Sequence, residues 1–470
     1  MSKIKFGTDG WRAVISDTFT MENVEYVAQA IADTLILKDS SLGQKIVIGY
    51  DTRFMSEDYA RRIAEVFAAN DFKVILSDKV APTPVVSFLV KHHKATGGIV
   101  VTASHNPYRF NGIKFKGAHG GPASSELTVE FESMIQKNSV KKIELAKALE
   151  SEKIVLEDFD ETYFLAVEKY VDMEKIRKST WSVAVDSMCG AGGLYFQNLI
   201  GSEFKGSIET INHDFNPSFK GVNPEPIESN LGKLVKMCST NFDLGLATDG
   251  DADRLGVIDE RGNFVSSHQL LSLFFLYFVE CRSWTGDVAK SVSTTQLIEV
   301  VVKDKGLNVF ETPIGFKYIS KLMCEKDILI GGEESGGIGF KNHVPERDGL
   351  LAGLLVLEIM SHYQKPLSEI VASMEKRYGK YYYKRKDIHY DSADLEKNLE
   401  KVKSLKEEFL IGQKTKIFNL NDGVKHTLED GSWLLMRCSG TEPVLRVYAE
   451  SADPVKVDKL LKEGEKLVLG

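Results

Sequence analysis

Three aspartates occupy alternate positions in the stretch "DGDADR". Asp249, Asp251 and Asp253 follow directly on the apolar run "FDLGLA". In an extended or loop backbone, alternate residues point to the same side, so the three carboxylates are expected to converge. Two carboxylates held about 4 Å apart repel by about 4 kcal/mol at an effective dielectric constant of ~20. A divalent cation removes this repulsion, and the hard oxygen ligands predict magnesium.

Two other interpretations of this loop stay open. With Glu260 at the twelfth position the loop resembles a calcium-binding EF-hand, although Arg254 replaces the glycine required at the sixth position and the flanks read as strands. An acidic turn that merely faces solvent would bind no metal, and such turns are common. The sequence favours magnesium over both.

A serine follows another apolar run, in "GGIVVTASHNP". Placed at the end of a strand and near a three-aspartate metal site, Ser104 could accept a phosphoryl group, with Arg254 adding positive charge. Lys114, in "NGIKF", is a candidate proton donor and acceptor, provided that its pKa is depressed. A lone serine more often caps a helix or a turn. His105 stays among the catalytic candidates, although a hydrogen bond that holds the loop is the more common role for such a histidine.

The loop "GGEESGG" (331–337) carries an acid and a hydroxyl between glycine pairs. The glycines let Glu333 and Ser335 approach a ligand closely, and this pairing suits the vicinal hydroxyls of a sugar. Glycine-flanked acidic turns are frequent, so this loop by itself does not distinguish a sugar site from a surface turn.

The stretch "RCSGTEP" (437–443) combines one arginine with several neutral donors. Arg437 supplies a fork-shaped charge, and the hydroxyls of Ser439 and Thr441 lie beside backbone N–H groups around Gly440. This combination predicts a phosphate-binding nest, with a plain turn as the alternative. Arg12, which follows the glycine turn of "FGTDGWR", is a second candidate for contact with phosphate.

Each chemically loaded loop follows a short apolar run, and amphipathic helical patterns lie between them. These patterns include "SEDYARRIAEVFAAN" (56–70), "FLAVEKYV" (164–171) and "TQLIEVVVKDKG" (295–306). Short strands that alternate with amphipathic helices indicate α/β architecture. In such sheets ligands gather beyond the carboxyl ends of the strands, so the sequence predicts one site assembled from several chain segments.

Length, charge and cysteine usage narrow the class of protein. The 470 residues predict two to four domains of about 100–200 residues each. The net charge of −8 argues against nucleic acid as a partner, and the five cysteines form no C-x-x-C pair, which indicates a reduced compartment without a zinc site. The longest apolar runs, 270–279 and 349–360, are shorter than the ~20 residues of a membrane span. We therefore expect a soluble, cytoplasmic protein with no membrane partner.

The ordered set of motifs resembles one family over the whole chain. "FGTDGWR", "TASHNP", "DGDADR", "GEESGG" and "RCSGTEP" occur in the order typical of the α-D-phosphohexomutase superfamily, the phosphoglucomutases and phosphomannomutases. The resemblance implies an α/β fold of four domains, in which three similar α/β domains precede a C-terminal α+β domain like the TATA-binding protein. The implied segments are 1–153 (phosphoserine loop), 154–261 (metal-binding loop), 262–373 (sugar-binding loop) and 374–470 (phosphate-binding loop).

The resemblance also implies a role for each motif residue. Ser104 would be the phosphoserine, and its phosphate would hold Mg²⁺ together with Asp249, Asp251 and Asp253. Lys114 corresponds to the family's general acid and base. The other implied residues are the active-site arginines Arg12 and Arg254, the sugar contacts Glu333, Ser335 and Lys317 (in "GFKY", 315–318), and the ligands of the non-reacting phosphate, Arg437, Ser439, Gly440 and Thr441.

The implied reaction interconverts hexose 1-phosphate and hexose 6-phosphate, through a hexose 1,6-bisphosphate that is both intermediate and activator. Gly337 stands where phosphoglucosamine mutases and many phosphomannomutases carry a histidine, which favours glucose and leaves mannose and glucosamine as alternatives. A sugar-phosphate phosphatase and an inactive sensor of sugar phosphates are the less favoured classes. The expected partners are small-molecule sugar phosphates, and the expected state is a monomer or a small homo-oligomer.

Overall fold

The structure, a computed structural model, describes residues 4–40, 44–420, 422–438 and 443–469, without the side chains of Ser392, Leu395, Ile417 and Phe418. The chain divides into two compact units, Met1–Ser267 with Gly315–Ile370, and His268–Ile314 with Val371–Gly470. None of the described helices is both long enough and apolar enough to cross a membrane.

The strands are short, as the brief apolar runs of the sequence predict. In chain order they are β1 (Trp11–Val14), β2 (Lys45–Tyr50), β3 (Lys73–Ser77), β4 (Gly97–Val101), β5 (Phe110–Gly117), β6 (Ile154–Glu157), β7 (Ser182–Asp186), β8 (Ser207–Ile211), β9 (Leu244–Thr248), β10 (Leu255–Asp259), β11 (Phe264–Val265), β12 (Asp287–Ser291), β13 (Val309–Thr312), β14 (Ile328–Gly332), β15 (Ile338–Phe340), β16 (Tyr382–His389), β17 (Phe409–Leu410), β18 (Gln413–Asn419), β19 (Val424–Leu428), β20 (Trp433–Cys438) and β21 (Val444–Ser451).

The helices alternate with the strands over most of the chain. They are α1 (Met21–Lys38), α2 (Ser56–Ala69), α3 (Thr83–His92), α4 (Ser125–Met134), α5 (Leu145–Glu150), α6 (Asp160–Tyr170), α7 (Met173–Lys178), α8 (Tyr195–Ile200), α9 (Gly232–Cys238), α10 (Ser267–Glu280), α11 (Leu297–Asp304), α12 (Phe316–Glu325), α13 (Gly349–Tyr363), α14 (Leu367–Tyr378), α15 (Leu395–Ser404) and α16 (Pro454–Leu469). Single 3₁₀ turns occur at Phe219–Gly221, Glu228–Asn230 and Ser392–Asp394.

The first unit contains a six-stranded mixed sheet with the strand order β1-β5-β4-β2-β3-β6. Strands β4, β2, β3 and β6 run parallel. Beyond the first residue of β2 and of β3, the strands β4, β2 and β3 are buried and mostly apolar, as is typical of parallel strands covered on both faces. The chain then turns back, and β5 pairs antiparallel with β4 and with β1. The turn between β4 and β5 carries Ser104, and the register pairs Lys114 on β5 with Val100 on β4.

The same local pattern recurs twice more in the first unit. A second sheet has the order β11-β10-β9-β7-β8, and its antiparallel pair β9–β10 encloses residues 249–254. The antiparallel pair β14–β15 encloses residues 333–337. In each case a fully buried strand ends, a polar loop follows, and an antiparallel strand returns. This pattern explains why the sequence shows an apolar run before each chemically loaded loop.

The second unit contains the parallel pair β12–β13 and a six-stranded antiparallel sheet with the order β16-β21-β20-β19-β18-β17. Its core includes Leu434, Met436 and Val447 from the sheet and Leu460 from α16. Lysine-rich β16 lies at the sheet edge with its charged side chains exposed, which discourages pairing with another chain.

Two sequence expectations about the helices have different outcomes. The apolar run 349–360, which is too short to span a membrane, predicts a buried core helix. It forms α13, in which every residue of Gly349–Ser361 is buried, so this prediction is confirmed. The amphipathic pattern "ADLEKNLEKVKSLKEEFL" (393–410) predicts a helix over its whole length. This prediction is wrong in extent: α15 ends at Ser404, and Phe409–Leu410 forms β17 instead. Charge periodicity continues past Ser404 in the sequence, but pairing with β18 determines the structure of the last residues.

Candidate active site

Ser104 lies in a tight, buried turn just after β4. Its backbone has a φ of +51°, a left-handed conformation that is unfavourable for serine and is typical of functional turns. The Ser104 N–H donates to Thr102 Oγ1 at 2.9 Å, and the Ser104 hydroxyl donates to Asp249 Oδ2 at 2.7 Å. His105 Nδ1 lies 3.4 Å from the same hydroxyl. The candidate nucleophile is therefore joined directly to the predicted metal loop.

The carboxylates of Asp249, Asp251 and Asp253 converge, and all three residues are fully buried. One ligand atom from each lies within 4.8 Å of the others. Gly250 lets the aspartate loop approach the serine turn closely, because a Cβ on it would lie 2.4 Å from the carbonyl oxygen of Ser104. The expected convergence follows from the alternate spacing of the three aspartates.

The donor set fits a hard divalent cation. Asp251 Oδ1 and Asp253 Oδ1 are buried and have no hydrogen-bond partner among the described residues. Burial and the neighbouring carboxylates of Asp253 and Asp251 raise the pKa of Asp249 well above its ordinary value. A bound cation would relieve the repulsion among these carboxylates. A solvated acidic turn is excluded by the burial of the three residues.

The geometry also excludes the EF-hand interpretation. The loop connects the antiparallel strands β9 and β10, whereas an EF-hand loop connects two helices. Glu260, the acid at the twelfth position, instead accepts hydrogen bonds from the hydroxyl and the N–H of Ser368. It is not a member of the cluster that could hold a metal.

Backbone hydrogen bonds from other elements fix the aspartate loop. At the start of α3, the Thr83 N–H donates to the carbonyl oxygen of Asp251 at 2.9 Å. At the start of α13, the Gly349 N–H donates to Ala252 O at 3.1 Å, and the Leu255 N–H donates to Gly336 O at 3.2 Å. The aspartate loop is therefore attached to the starts of α3 and α13, and the first residue of β10, which follows the loop, is attached to the 333–337 loop.

Lys114 lies within the acidic cluster. Its Nζ is 2.7 Å from Asp251 Oδ2, 2.9 Å from Asp253 Oδ2 and 2.8 Å from Asp9 Oδ2. Burial alone would lower the pKa of Lys114, but the three carboxylates outweigh burial and raise it above 10.5. The condition set for Lys114 as a base, a depressed pKa, is therefore not met in this arrangement. Nothing in the local sequence indicates that so many carboxylates surround one ammonium.

The two predicted arginines flank the same turn. Arg12 Nη1 donates to Asn106 Oδ1 at 2.8 Å. Arg254 Nη1 lies 3.6 Å from Glu225 Oε1, and the backbone N–H of Arg254 donates to Asp249 Oδ1 at 3.1 Å. Burial, Arg254 and Arg12 lower the pKa of His105 well below its usual 6.5, so its imidazole is neutral at physiological pH.

Glu333 is buried in the predicted sugar loop, whereas Ser335 and Lys317 are half-buried. Glu333 Oε1 accepts from the Gly315 N–H at 3.0 Å, which joins this loop to the "GFKY" segment. Burial raises the pKa of Glu333 to about 7, although Arg347 opposes the shift. The two loops predicted to contact a sugar are thus neighbours.

Sequence reasoning missed Arg347. Its Nη2 lies 2.6 Å from Asp9 and 2.7 Å from Asp253, and its Nη1 lies 4.0 Å from Glu333. A Cβ on Gly337 would lie 2.3 Å from Arg347 Cδ, so the absent side chain at 337 leaves room for this arginine. The only signal was the charged stretch "ERD" before α13, which looks like an ordinary helix start.

Arg437 belongs to the second unit, at the end of β20, and its Nε donates to Asp422 Oδ1 at 2.8 Å. Ser439, Gly440 and Thr441 lie outside the described residues. The remaining predicted site residues, from Arg12 to Ser335, all belong to the first unit.

Profiles of the phosphoglucomutase/phosphomannomutase family match the chain in four successive segments. Domain I, described as alpha/beta/alpha, matches residues 3–142, domain II matches 161–262, domain III matches 266–378, and the C-terminal domain matches 388–466. The four-domain architecture implied by the motif order is thereby confirmed. The exact segment bounds given above stay a prediction.

Relatives with several names match nearly the whole chain. A phosphoglucomutase/phosphomannomutase of Thermococcus kodakarensis is 30% identical over 464 residues, which is 98% of both chains. A phosphoglucomutase of Komagataeibacter xylinus is 29% identical over 490 residues, covering 96% of this chain and 87% of the relative. A phosphoglucosamine mutase of Acetivibrio thermocellus is 29% identical over 469 residues, covering 98% of both.

Two crystal structures share the fold over the full chain. A Thermus thermophilus protein described as a phosphomannomutase superposes with a TM-score of 0.87 at 34% identity, covering 100% of both chains. The open form of Paramecium parafusin, a phosphoglucomutase, superposes with a TM-score of 0.86 at 25% identity, covering 100% of this chain and 95% of parafusin. With matches of this extent in sequence and in fold, the chain belongs to the phosphoglucomutase/phosphomannomutase family and is an enzyme of the α-D-phosphohexomutase superfamily.

Proposed function

We propose that this phosphohexomutase interconverts glucose 1-phosphate and glucose 6-phosphate through a phosphoserine at Ser104. The observation that carries the proposal is the 2.7 Å contact of the Ser104 hydroxyl with Asp249, inside the three-carboxylate cluster. A phosphoryl group on this hydroxyl would lie beside the carboxylates that would hold a divalent cation. A serine that only caps a turn has no need of such neighbours.

Asp249, Asp251 and Asp253, with the phosphate on Ser104, are the residues that would hold Mg²⁺. When bound, the ion would offset the negative charge of the phosphoryl oxygens. Arg12 and Arg254 bring further positive charge to the turn. Asp251, Asp253 and Asp9 hold the pKa of Lys114 above its ordinary value, so Lys114 is a proton donor in this arrangement. It would act as a base once those carboxylates have other partners.

In the proposed reaction, the Ser104 Oγ–P bond breaks and a bond forms from phosphorus to the free hydroxyl of a hexose 1-phosphate. Lys114, once its own proton has passed to solvent, accepts the proton of that hydroxyl. The resulting hexose 1,6-bisphosphate reorients, the bond between its C1 oxygen and phosphorus breaks, and a bond forms from that phosphorus to Ser104 Oγ. Lys114 returns its proton to the departing sugar oxygen. Glu333, Ser335 and Lys317 would contact the sugar hydroxyls. Arg437, Ser439, Gly440 and Thr441 would bind the non-reacting phosphate in either orientation.

Glucose is proposed because of the sugar loop. Gly337 carries no side chain, and Arg347 takes the space that a side chain there would need. Mannose and glucosamine phosphates are the alternative substrates, since relatives of similar identity bear all of these names. A phosphatase would use the same phosphoserine with water as acceptor. A cytoplasmic location and a monomeric or small homo-oligomeric state accompany the proposal as predictions.

A coupled assay tests the proposed substrate. The purified enzyme with Mg²⁺ and a trace of glucose 1,6-bisphosphate is compared on the 1-phosphates of glucose, mannose, glucosamine and ribose under identical conditions. We expect the highest kcat/KM with glucose 1-phosphate and little release of inorganic phosphate. A higher kcat/KM with another sugar would overturn the glucose assignment, and stoichiometric release of inorganic phosphate would favour the phosphatase.

A further inference from the structure

Arg53 lies beneath the Ser104 turn, and its side chain is completely buried although it is charged. Its guanidinium donates to four backbone carbonyls of one short segment. The acceptors are Ser104 O at 2.5 Å, Asn106 O at 2.6 Å, Pro107 O at 3.0 Å and Phe110 O at 2.9 Å. The segment that carries the candidate nucleophile therefore wraps around one cation.

Asp51 completes this arrangement from the other side. Its Oδ2 accepts from Arg53 Nε at 3.1 Å and from Thr102 Oγ1 at 2.6 Å. Thr102 Oγ1 in turn accepts from the Ser104 N–H. The carbonyl of Ser104 is thus held by Arg53, and its N–H is held through Thr102 by the partner of Arg53. The carbonyl therefore has a buried, charged partner, and the N–H has a buried hydroxyl that itself donates to a carboxylate.

Thr52 and Arg53 also contact two loops that precede the metal loop in the chain. Thr52 Oγ1 donates to Cys189 O at 2.7 Å, and the guanidinium of Arg53 lies 4.9 Å from the ring centroid of Phe219. Arg53 is therefore packed between the serine turn and the loops that follow β7 and β8. Its position fixes the serine turn with respect to the sheet that carries Asp249.

A lysine cannot replace this arginine chemically. A guanidinium spreads five donors over a rigid plane, whereas an ammonium is a compact centre with three donors. The four carbonyls and the Asp51 carboxylate match the five donors of the guanidinium and exceed the three of an ammonium. The left-handed backbone of Ser104 needs such restraint, because an unrestrained serine prefers other conformations.

We propose that Arg53 is a positioning residue, which holds the Ser104 turn in its strained form and aims the Ser104 oxygen for phosphoryl transfer. This inference rests on the proposed function, in which Ser104 carries the phosphoryl group. Arg53 makes no contact with substrate in this role, so its loss acts on the chemical step.

The test compares Arg53→Lys and Arg53→Gln with wild type at saturating Mg²⁺ and glucose 1,6-bisphosphate, with activity expressed per folded molecule. We expect kcat to fall about 10²-fold, the cost of misplacing a reacting group by about 1 Å, with KM for glucose 1-phosphate nearly unchanged. Single-turnover phosphorylation of Ser104 by glucose 1,6-bisphosphate should slow by the same factor.

Arg177→Lys is the matched control. Arg177 also donates to backbone carbonyls, those of Ile200 and Leu199, and pairs with Glu168, and none of these partners is assigned to the site. Its substitution should leave kcat and KM unchanged. In Arg53→Ala, ethylguanidinium should restore part of the lost kcat, whereas ethylammonium should not.

A full kcat in Arg53→Lys, or equal rescue by both cations, would overturn the positioning role. So would a raised KM with unchanged kcat. If both substitutions only lower the melting temperature while activity per folded molecule stays at the wild-type value, Arg53 is merely structural and the inference fails. The proposed function fails differently: wild-type enzyme would carry no phosphate on Ser104, whatever the Arg53 variants do.

Discussion

At the residue scale, the account depends on three buried carboxylates that share one cation. Asp251→Asn keeps the size of the side chain but removes a charge, so we expect kcat/KM to fall at least ~10²-fold and the Mg²⁺ concentration for half-activity to rise. Magnesium titrations of the coupled assay provide the measurement. Asp243→Asn is the control, because Asp243 lies before β9 and bonds to Ser182, outside the cluster. Full activity of Asp251→Asn after exhaustive chelation would contradict the metal assignment.

Glu333 gives a prediction about pH. Burial raises its pKa to about 7, so lowering the pH through 7 protonates the carboxylate and removes an acceptor for sugar hydroxyls. We expect KM for the sugar phosphate to rise below pH 7. Glu333→Gln should have a raised KM at every pH without this dependence. Since the substrate phosphate titrates equally with both enzymes, a KM profile that is the same shape in both would show that Glu333 is not responsible.

A site residue could be predicted from the sequence when its partners are close to it along the chain. It could not be predicted when its partners are distant along the chain. Asp249, Asp251 and Asp253 can be recognised because they are neighbours in one loop after an apolar run. Arg347 is separated from Asp9 by 338 positions, so no local pattern reveals the pair. The raised pKa of Lys114 was missed for the same reason, since its partners come from two other loops.

At the element scale, the contact between the serine turn and the aspartate loop depends on the absence of a side chain at Gly250. A Cβ there would lie 2.4 Å from Ser104 O and 3.2 Å from Pro224 Cγ. Gly250→Ala should therefore destabilise the fold by about 1–3 kcal/mol and should reduce kcat by a larger factor than stability alone explains. Urea unfolding and steady-state kinetics on the same samples measure both effects.

Gly232→Ala is the control for this substitution. A Cβ on Gly232, at the start of α9, meets nothing within 4 Å, so alanine should be neutral or stabilising there. Wild-type kcat in Gly250→Ala would show that the turn and the loop do not depend on close backbone contact.

Two buried histidines of the second unit predict acid sensitivity. Burial lowers the pKa of His268 to about 3 and that of His426 to about 4. In the unfolded chain both titrate near about 6.5, so the unfolded state binds more protons in this range and stability falls as the pH drops from about 6.5 towards 4. The urea midpoint, followed by the fluorescence of buried Trp433, should fall with acidification. His426→Phe should lessen that slope, and an unchanged slope would exclude His426 as the cause.

At the scale of the whole molecule, Arg437 of the predicted phosphate-binding nest and the predicted nucleophile belong to different units. Ser104 lies in the first and Arg437 in the second. Arg437→Ala should therefore weaken binding of the sugar phosphate while leaving phosphorylation of Ser104 unchanged. A charge-assisted bidentate contact contributes ~1.5–3 kcal/mol, so the loss of affinity should be roughly ten- to a hundredfold.

Release of the intermediate distinguishes this prediction from a general loss of activity. Because Arg437→Ala should bind the non-reacting phosphate more weakly, glucose 1,6-bisphosphate should dissociate before it reacts. The activity of the variant should therefore depend more steeply on added bisphosphate. Chromatography of the reaction mixture would detect the accumulated bisphosphate. Wild-type affinity in Arg437→Ala, without extra bisphosphate in solution, would show that Arg437 does not bind the non-reacting phosphate.

The central claim is that Ser104 carries the phosphoryl group through the catalytic cycle. The most direct measurement incubates the enzyme with glucose 1,6-bisphosphate labelled in its phosphates, maps the label on the chain by mass spectrometry, and then chases it with unlabelled glucose 1-phosphate. The account predicts label on Ser104 alone, its transfer to hexose phosphate during the chase, and neither label nor turnover in Ser104→Ala. Label on another residue, with Ser104→Ala still active, would contradict it.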